Sequence, residues 1–294
     1  MASSKENRVA VITGACSGIG LALTKDLISR GWRVALGDVE SSGGDYLFSL
    51  FPLGSSIYVE TDVTSWESQS ALFRAAYEKW GRIDFHTANI CVGDRENIFP
   101  RRNTIGNPHR AIQRPDLQAL EVDLTAVVYG TYLALHYFRQ TPGKGGQIVL
   151  TSSLAGLFSL SIAPQYIIAK HAAILIKSQL MGWTKSMAPN LAKEGITINA
   201  ILPGMMPKSL MAERTPKFPK ELMTPLGPVL KAFNMFLENP ALNGVCAECS
   251  SGDVYFADLP QSSEAEMMDN RRKEMVARLN GKQVGKNYVV RSQL

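Results

Sequence analysis

Tyr166 and Lys170 stand four positions apart, and Ser153 lies thirteen positions upstream of the tyrosine. On a helix, residues four apart share a face about one turn from each other. A free tyrosine titrates near pH ~10 and is a poor acid–base group near neutrality. A lysine ammonium held beside it favours the phenolate and lowers that pKa. A serine hydroxyl at the same point can hold a carbonyl or alcohol oxygen. Together the three can move a proton on and off a C–O group while a hydride moves on the carbon. A Tyr–Lys pair alone is common on helix surfaces, so its weight comes from the elements that position it.

The first of these elements is at the N-terminus. Arg8-Val9-Ala10-Val11-Ile12 is a short apolar run of the kind a buried parallel strand needs. It leads into Thr13-Gly14-Ala15-Cys16-Ser17-Gly18-Ile19-Gly20, and apolar residues at helical spacing follow. Glycines at a strand-to-helix turn let backbone N–H groups approach a pyrophosphate at the positive end of the helix. A second strand, Arg33 to Gly37, ends at Asp38, 18 residues after Gly20. A carboxylate there accepts hydrogen bonds from both hydroxyls of an adenosine ribose and repels the extra phosphate of NADP. The glycine turn holds no Arg or Lys, so NAD is the expected cofactor.

On these motifs the chain resembles the short-chain dehydrogenase/reductase family, and within it the 15-hydroxyprostaglandin dehydrogenase-like members, from about Val9 to about Phe256. The resemblance assigns Gly14, Ser17, Gly18, Ile19 and Gly20 to the cofactor turn. It assigns Asp62 and Val63 to adenine, Asn89 to the central strand beside the cofactor, and Pro203-Gly204 to the turn beside the nicotinamide. Ser153, Tyr166 and Lys170 match the catalytic serine, tyrosine and lysine. Asn243-Gly244 to Gly252 matches the final strand.

Four departures from the family pattern stand out. Ala88-Asn89-Ile90-Cys91 replaces Asn-Asn-Ala-Gly. Asp123 stands where the family has an asparagine that holds a water linking the lysine to solvent. A carboxylate accepts from that water but donates only when protonated, and its charge would partly offset the lysine's field at Tyr166. Lys208 replaces a threonine that touches the carboxamide or the phosphates, with Ser209 next to it as a substitute. About seven residues, Ile174 to Leu180, are inserted in the catalytic helix. They make nearly two turns and keep its apolar face roughly in phase. The resemblance implies a homo-oligomer packed through that helix, so the insertion bears directly on the interface.

Strand patterns at 8–12, 33–37, 56–59, 83–88, 146–151, 195–201 and 244–249 alternate with helical patterns at 18–30, 65–81, 115–140, 164–193 and 225–237. This alternation predicts a doubly wound, Rossmann-like parallel sheet of about seven strands with helices on both faces. The strand ending at Thr151 delivers Ser153 to the carboxyl edge of the sheet, where ligands bind in such folds. One domain is expected over 1–260, with an arginine-bearing insertion at 92–114, a Met-, Phe- and Pro-rich substrate flap at 205–237, and a polar extension at 261–294. Methionines adapt to irregular apolar ligands, so a lipophilic or aromatic substrate is expected.

With 294 residues and 45% hydrophobic residues, the chain can bury one large α/β core. No apolar run of 18 residues exists to span a membrane. Met1 to Asn7 lacks the apolar core of a secretory signal, so the expected location is the cytoplasm. The net charge of +5 is dispersed along the chain, and no nucleic-acid partner is expected. Cys246-Ala247-Glu248-Cys249 has no second pair or nearby histidine to complete a metal site. On a strand its thiols would point to opposite faces.

The expected activity is NAD(H)-dependent interconversion of a secondary alcohol and a ketone on an apolar small molecule. Tyr166 is the acid–base, Lys170 its modulator, Ser153 the oxygen anchor, and Asp123 the holder of the relay water. The apolar flap fits a tailoring step in secondary metabolism. Asp123 and Lys208 keep open a non-redox isomerase, dehydratase or cyclase on the same fold. A cofactor-binding protein without catalysis is the remaining alternative.

Overall fold

A computed structural model describes residues 7–39, 50–92, 115–143, 145–154, 177–207, 223–250 and 252–256. Its strands are β1 (Val9–Thr13), β2 (Arg33–Asp38), β3 (Ser56–Glu60), β4 (Phe85–Ala88), β5 (Gly146–Thr151), β6 (Ile196–Pro203), β7 (Cys246–Ser250) and β8 (Asp253–Phe256). They form one sheet in the order β3-β2-β1-β4-β5-β6-β7-β8, parallel from β3 to β7. All seven expected strands form.

The eighth strand, β8, is antiparallel to β7, with Ser250 opposite Asp253, and Gly252 turns the chain at φ +91°. An L side chain rarely adopts that φ. Asp253, Tyr255 and Phe256 remain exposed along this edge. Its four residues, Asp253 to Phe256, add an edge strand beyond the seven expected.

The helices are α1 (Gly18–Ser29), α2 (Trp66–Trp80), α3 (Ala126–Gln140), α4 (described from Lys177 to Leu191) and α5 (Leu226–Glu238). Leu23 and Leu27 of α1 and Val229, Phe233 and Phe236 of α5 pack with Ile12, Leu36 and Phe85 on one face of the sheet. α2 and α3 pack together. Leu72, Phe73 and Ala76 of α2 are fully buried, as is Phe138 of α3. β1 is buried at all five positions and β6 at all eight, as strands covered on both faces must be.

Of the expected flap at 205–237, the stretch from Leu226 onward is therefore a core helix. Its apolar residues fill the layer beneath the sheet. Ala247 and Cys249 belong to the α1–α5 side, and Cys246, one register off, faces the other. Both thiols are buried and neither is in a disulfide, and burial pushes Cys249 up to about 12. The chain divides into two compact units, Met1–Ala257 and Asp258–Leu294. The extension lies outside the described residues.

His86 is a buried polar residue on the central strand β4. One ring nitrogen, Nδ1, lies 3.0 Å from the Val11 carbonyl, which can only accept, so Nδ1 carries the proton. The other, Nε2, has no partner among the described residues and faces Gly130 on α3, where a Cβ would come within 2.6 Å of it. Burial holds the ring neutral by lowering its pKa to about 4.

Candidate active site

The strand order reverses between β1 and β4. In doubly wound sheets a ligand sits at the carboxyl ends of the strands at such a switch point. Thr13 pairs with Ala88 at that edge, so the glycine turn after β1 and Asn89 after β4 emerge side by side.

Gly14 has φ +66°, and its N–H donates 2.8 Å to the Gly37 carbonyl on β2. A Cβ on Gly20 would lie 1.9 Å from the Gly14 carbonyl oxygen. The turn folds back on itself so tightly that only hydrogen fits there. Asn89 Nδ2 donates 3.3 Å to the same Gly14 oxygen, and the Asn89 N–H donates 3.3 Å to Thr13 Oγ1. Asn89 thus locks the turn from the β4 side.

The first hydrogen bond of α1 runs from Leu21 N–H to the Ser17 carbonyl at 3.0 Å, and Ser17 makes no side-chain cap. Within the helix, the N–H groups of Gly18, Ile19 and Gly20 are left unspent at its positive end. Gly18 has φ +48° and open space around it. Donors and dipole of this kind suit an anionic group.

Asp38 closes β2 with its carboxylate turned to the glycine turn. Oδ2 accepts from Cys16 N–H at 3.0 Å and Oδ1 from Val39 N–H at 2.9 Å. Each carboxylate oxygen keeps a second lone-pair direction for a further donor.

Asp62 accepts from Thr64 N–H at 2.9 Å and Thr64 Oγ1 at 2.7 Å, which orders the turn into α2. Val63 next to it is buried with Val122 and Ala126, and Ile90 packs on them. These side chains line an apolar cleft at the carboxyl ends of β1 and β4. Gln69 holds the two walls together: its Nε2 donates to the Val63 carbonyl at 2.6 Å and the Ala126 carbonyl at 3.0 Å. A buried polar residue on the core stripe of α2, one turn before Leu72 and Phe73, is a sequence signal that went unused.

α3 is preceded by a π-turn, Glu121–Thr125, in which Ala126 N–H bonds the Glu121 carbonyl five residues back. Asp123 lies inside this wider turn, 3% exposed. Its Oδ1 accepts from Val92 N–H at 3.0 Å, and Oδ2 lies 3.8 Å from the Cys91 thiol. Both oxygens therefore face the segment leaving β4, whose Cys91 and Val92 the sequence did not mark as partners. The π-turn itself left no periodic signature, since five residues cannot shift a helical pattern visibly. Single π-turns inside helices concentrate at functional sites.

Ser153 lies just beyond β5, where the Ser152 N–H donates 2.9 Å to the Ile201 carbonyl of β6. Pro203 ends β6, and Gly204 stands against Leu154, whose Cδ1 would be 3.4 Å from a Cβ there. The structure thus brings the serine and the Pro203-Gly204 turn together at one sheet edge. Tyr166, Lys170 and Lys208 lie outside the described residues.

A doubly wound sheet with this glycine turn at its switch point defines a dinucleotide-binding α/β protein. Residues 8–218 match the family model for short chain dehydrogenase. The chain is 32% identical over 279 residues to a short-chain dehydrogenase/reductase, prx6, of Penicillium rubens, covering 89% of each chain. It is 29% identical over 275 residues to bovine 15-hydroxyprostaglandin dehydrogenase (NAD(+)), covering 85% of this chain and 94% of that one. In fold it is similar to 3-ketoacyl-(acyl-carrier-protein) reductase from Brucella melitensis complexed with NADH. That likeness has a TM-score of 0.68 at 20% identity, over 85% of this chain and 99% of the reductase. The chain belongs to the short-chain dehydrogenase family of oxidoreductases. No helix among the described residues is long and apolar enough to cross a membrane.

Proposed function

We propose that the protein interconverts a secondary alcohol and a ketone on a lipophilic or aromatic small molecule, using NAD(H). The observation that carries the cofactor choice is Asp38. Its carboxylate is fixed by Cys16 N–H and Val39 N–H at the rim of the glycine turn. Free lone pairs there suit two ribose hydroxyls, and a 2′-phosphate would meet a negative charge. The bovine relative carries both NAD(+) and a hydroxyprostaglandin in its name, which supports the cofactor and an apolar substrate alike.

The residues present fit the cofactor. The N–H groups of Gly18, Ile19 and Gly20 would bind the pyrophosphate, Asp62 and Val63 the adenine, and Asp38 the ribose. When bound, NAD supplies the two-electron hydride acceptor. Ser153 holds the substrate oxygen by hydrogen bonding. Tyr166 takes the hydroxyl proton as the carbon is oxidised and returns it in the reverse direction. Lys170 lowers the tyrosine's pKa so that the phenolate is available near neutrality.

Asp123 holds the relay water in this scheme, and its carboxylate also accepts from Val92 N–H and faces the Cys91 thiol. A non-redox isomerase, dehydratase or cyclase on the same fold is the second reading, motivated by Asp123 and Lys208. A setting in secondary metabolism, suited to the Met-, Phe- and Pro-rich stretch, and a cytoplasmic homo-oligomer complete the proposal.

The test is nicotinamide absorbance with NAD and NADP in parallel, against a panel of lipophilic secondary alcohols and ketones. Turnover with NAD and little with NADP is expected. Tyr166→Phe should lower turnover by roughly 10²–10⁴-fold and leave NAD affinity within about twofold, since the remaining contacts are untouched. Undiminished turnover in that variant would overturn the mechanism.

A further inference from the structure

We infer that Thr224 is a positioning residue for the substrate side of the site, acting through the Pro203-Gly204 turn. Thr224 is fully buried although it lies between β6 and α5, outside both. Its N–H donates 2.7 Å to the Met205 carbonyl. Its Oγ1 donates 3.2 Å to the Cys249 carbonyl at the end of β7. The same carbonyl accepts from Gly204 N–H at 3.1 Å. A Cβ on Gly204 would sit 2.5 Å from Thr224 Oγ1 and 3.4 Å from Leu154 Cδ1. One threonine thus ties the end of β6 to the end of β7 and fills the space beneath the turn beside Ser153.

The bond to Met205 also brings together the two ends of the chain that carries residues 206–223. Met205 and Thr224 lie at the edge where Ser153 stands. The Thr224 N–H closes this junction, and its hydroxyl anchors the junction to the end of β7, beneath the turn that a substrate reaching Ser153 meets. The glycine turn and Asp38, at the other half of the switch point, do not depend on it. This placement rests on the proposed alcohol oxidation for its kinetic readout only.

The experiment compares Thr224→Val, which keeps size and removes the hydroxyl, with Thr224→Ser, which keeps the hydroxyl. Thr224→Val should fold, because the Cys249 carbonyl retains Gly204 N–H as a donor. It should raise the KM for the alcohol about tenfold, the effect of one neutral hydrogen bond. The fall in kcat should be under about threefold, and the Kd for NAD, measured by titration without alcohol, should move less than about twofold. Thr224→Ser should restore KM.

Trypsin provides a readout without turnover. Lys208, Arg214 and Lys217 lie between Met205 and Thr224. Cleavage there should quicken about tenfold in Thr224→Val at an unchanged global urea midpoint, because it follows the opening of the junction. Unchanged KM and unchanged cleavage in Thr224→Val would overturn the inference, as would equal losses in the Val and Ser variants. If the wild-type protein turns over no alcohol with NAD, the proposed function fails, and the tryptic comparison still decides the role of Thr224.

Discussion

Acid should destabilise this protein through one residue, His86, and the size of the effect can be worked out. The ring is fully buried on β4, with Phe73 5.0 Å away and Gly130 against Nε2. Burial lowers its pKa to about 4 from the ordinary 6.5. A group with a depressed folded pKa takes up its proton first in the unfolded chain, when that group is a base. Stability is then complete above the unfolded pKa and falls as pH drops from 6.5 toward 4. Each pH unit well inside that window costs about 1.4 kcal/mol, so about 2 to 3 kcal/mol is lost between pH 6.5 and 4.5. Much of a domain's net stability is at stake in such a loss. The assay is urea unfolding at several pH values for the wild type and His86→Gln, whose amide can donate to Val11 without titrating. His109, His136 and His171 are common to both proteins and cancel in the difference. The difference curve should slope over this window and flatten above pH 7. Parallel curves, or an NMR titration of His86 near its unperturbed value, would refute the placement of a neutral, sealed ring on β4.

Gly20→Ala places a methyl 1.9 Å from a backbone oxygen that cannot step aside. It should cost roughly 1–3 kcal/mol of stability and abolish NAD binding by calorimetry; wild-type affinity would mean that the turn is looser than described. Asp123→Ala orphans the Val92 N–H and should cost about 1–3 kcal/mol, whereas Asp123→Asn keeps an acceptor and should cost less than about 1. Equal losses in urea unfolding would assign the effect to the charge.

The parallel sheet was legible because strands such as β1 and β2 are buried on both faces and read as short apolar runs, Val9 to Ile12 and Val34 to Leu36, that alternate with helical patterns. The glycine turn was legible for the same physical reason: only glycine tolerates the contact between Gly20 and Gly14, so chain geometry is written directly in residue type. Asp38 could be located because a fixed crossover length separates β1 from β2. The role of Asp123 could not, because it depends on which backbone group meets its carboxylate. That partner, Val92, lies 31 positions away on a different element. Thr224 was hidden similarly: a lone threonine in a Met- and Pro-rich stretch carries no pattern, and its partner Cys249 is reached only once β6 and β7 have paired. Leu226–Glu238 was correctly helical by period, yet the same apolar residues suggested a flap, since periodicity tells which face is apolar and not what covers it.

The central position of β1 has a consequence for synthesis. Its register with β4, Ala10 opposite Phe85, joins residues 75 positions apart. At about 5–20 residues per second on the ribosome, β1 waits roughly 4–15 s for the strand that covers its second edge. β2 takes the first edge and β3 then pairs with β2, leaving a three-stranded apolar ribbon whose β1 edge stays open until β4 arrives. Contacts this distant in the chain also slow folding in general. A nascent chain of this kind is a natural client for ribosome-associated chaperones, and expression at lowered temperature or with added chaperone should raise its soluble yield.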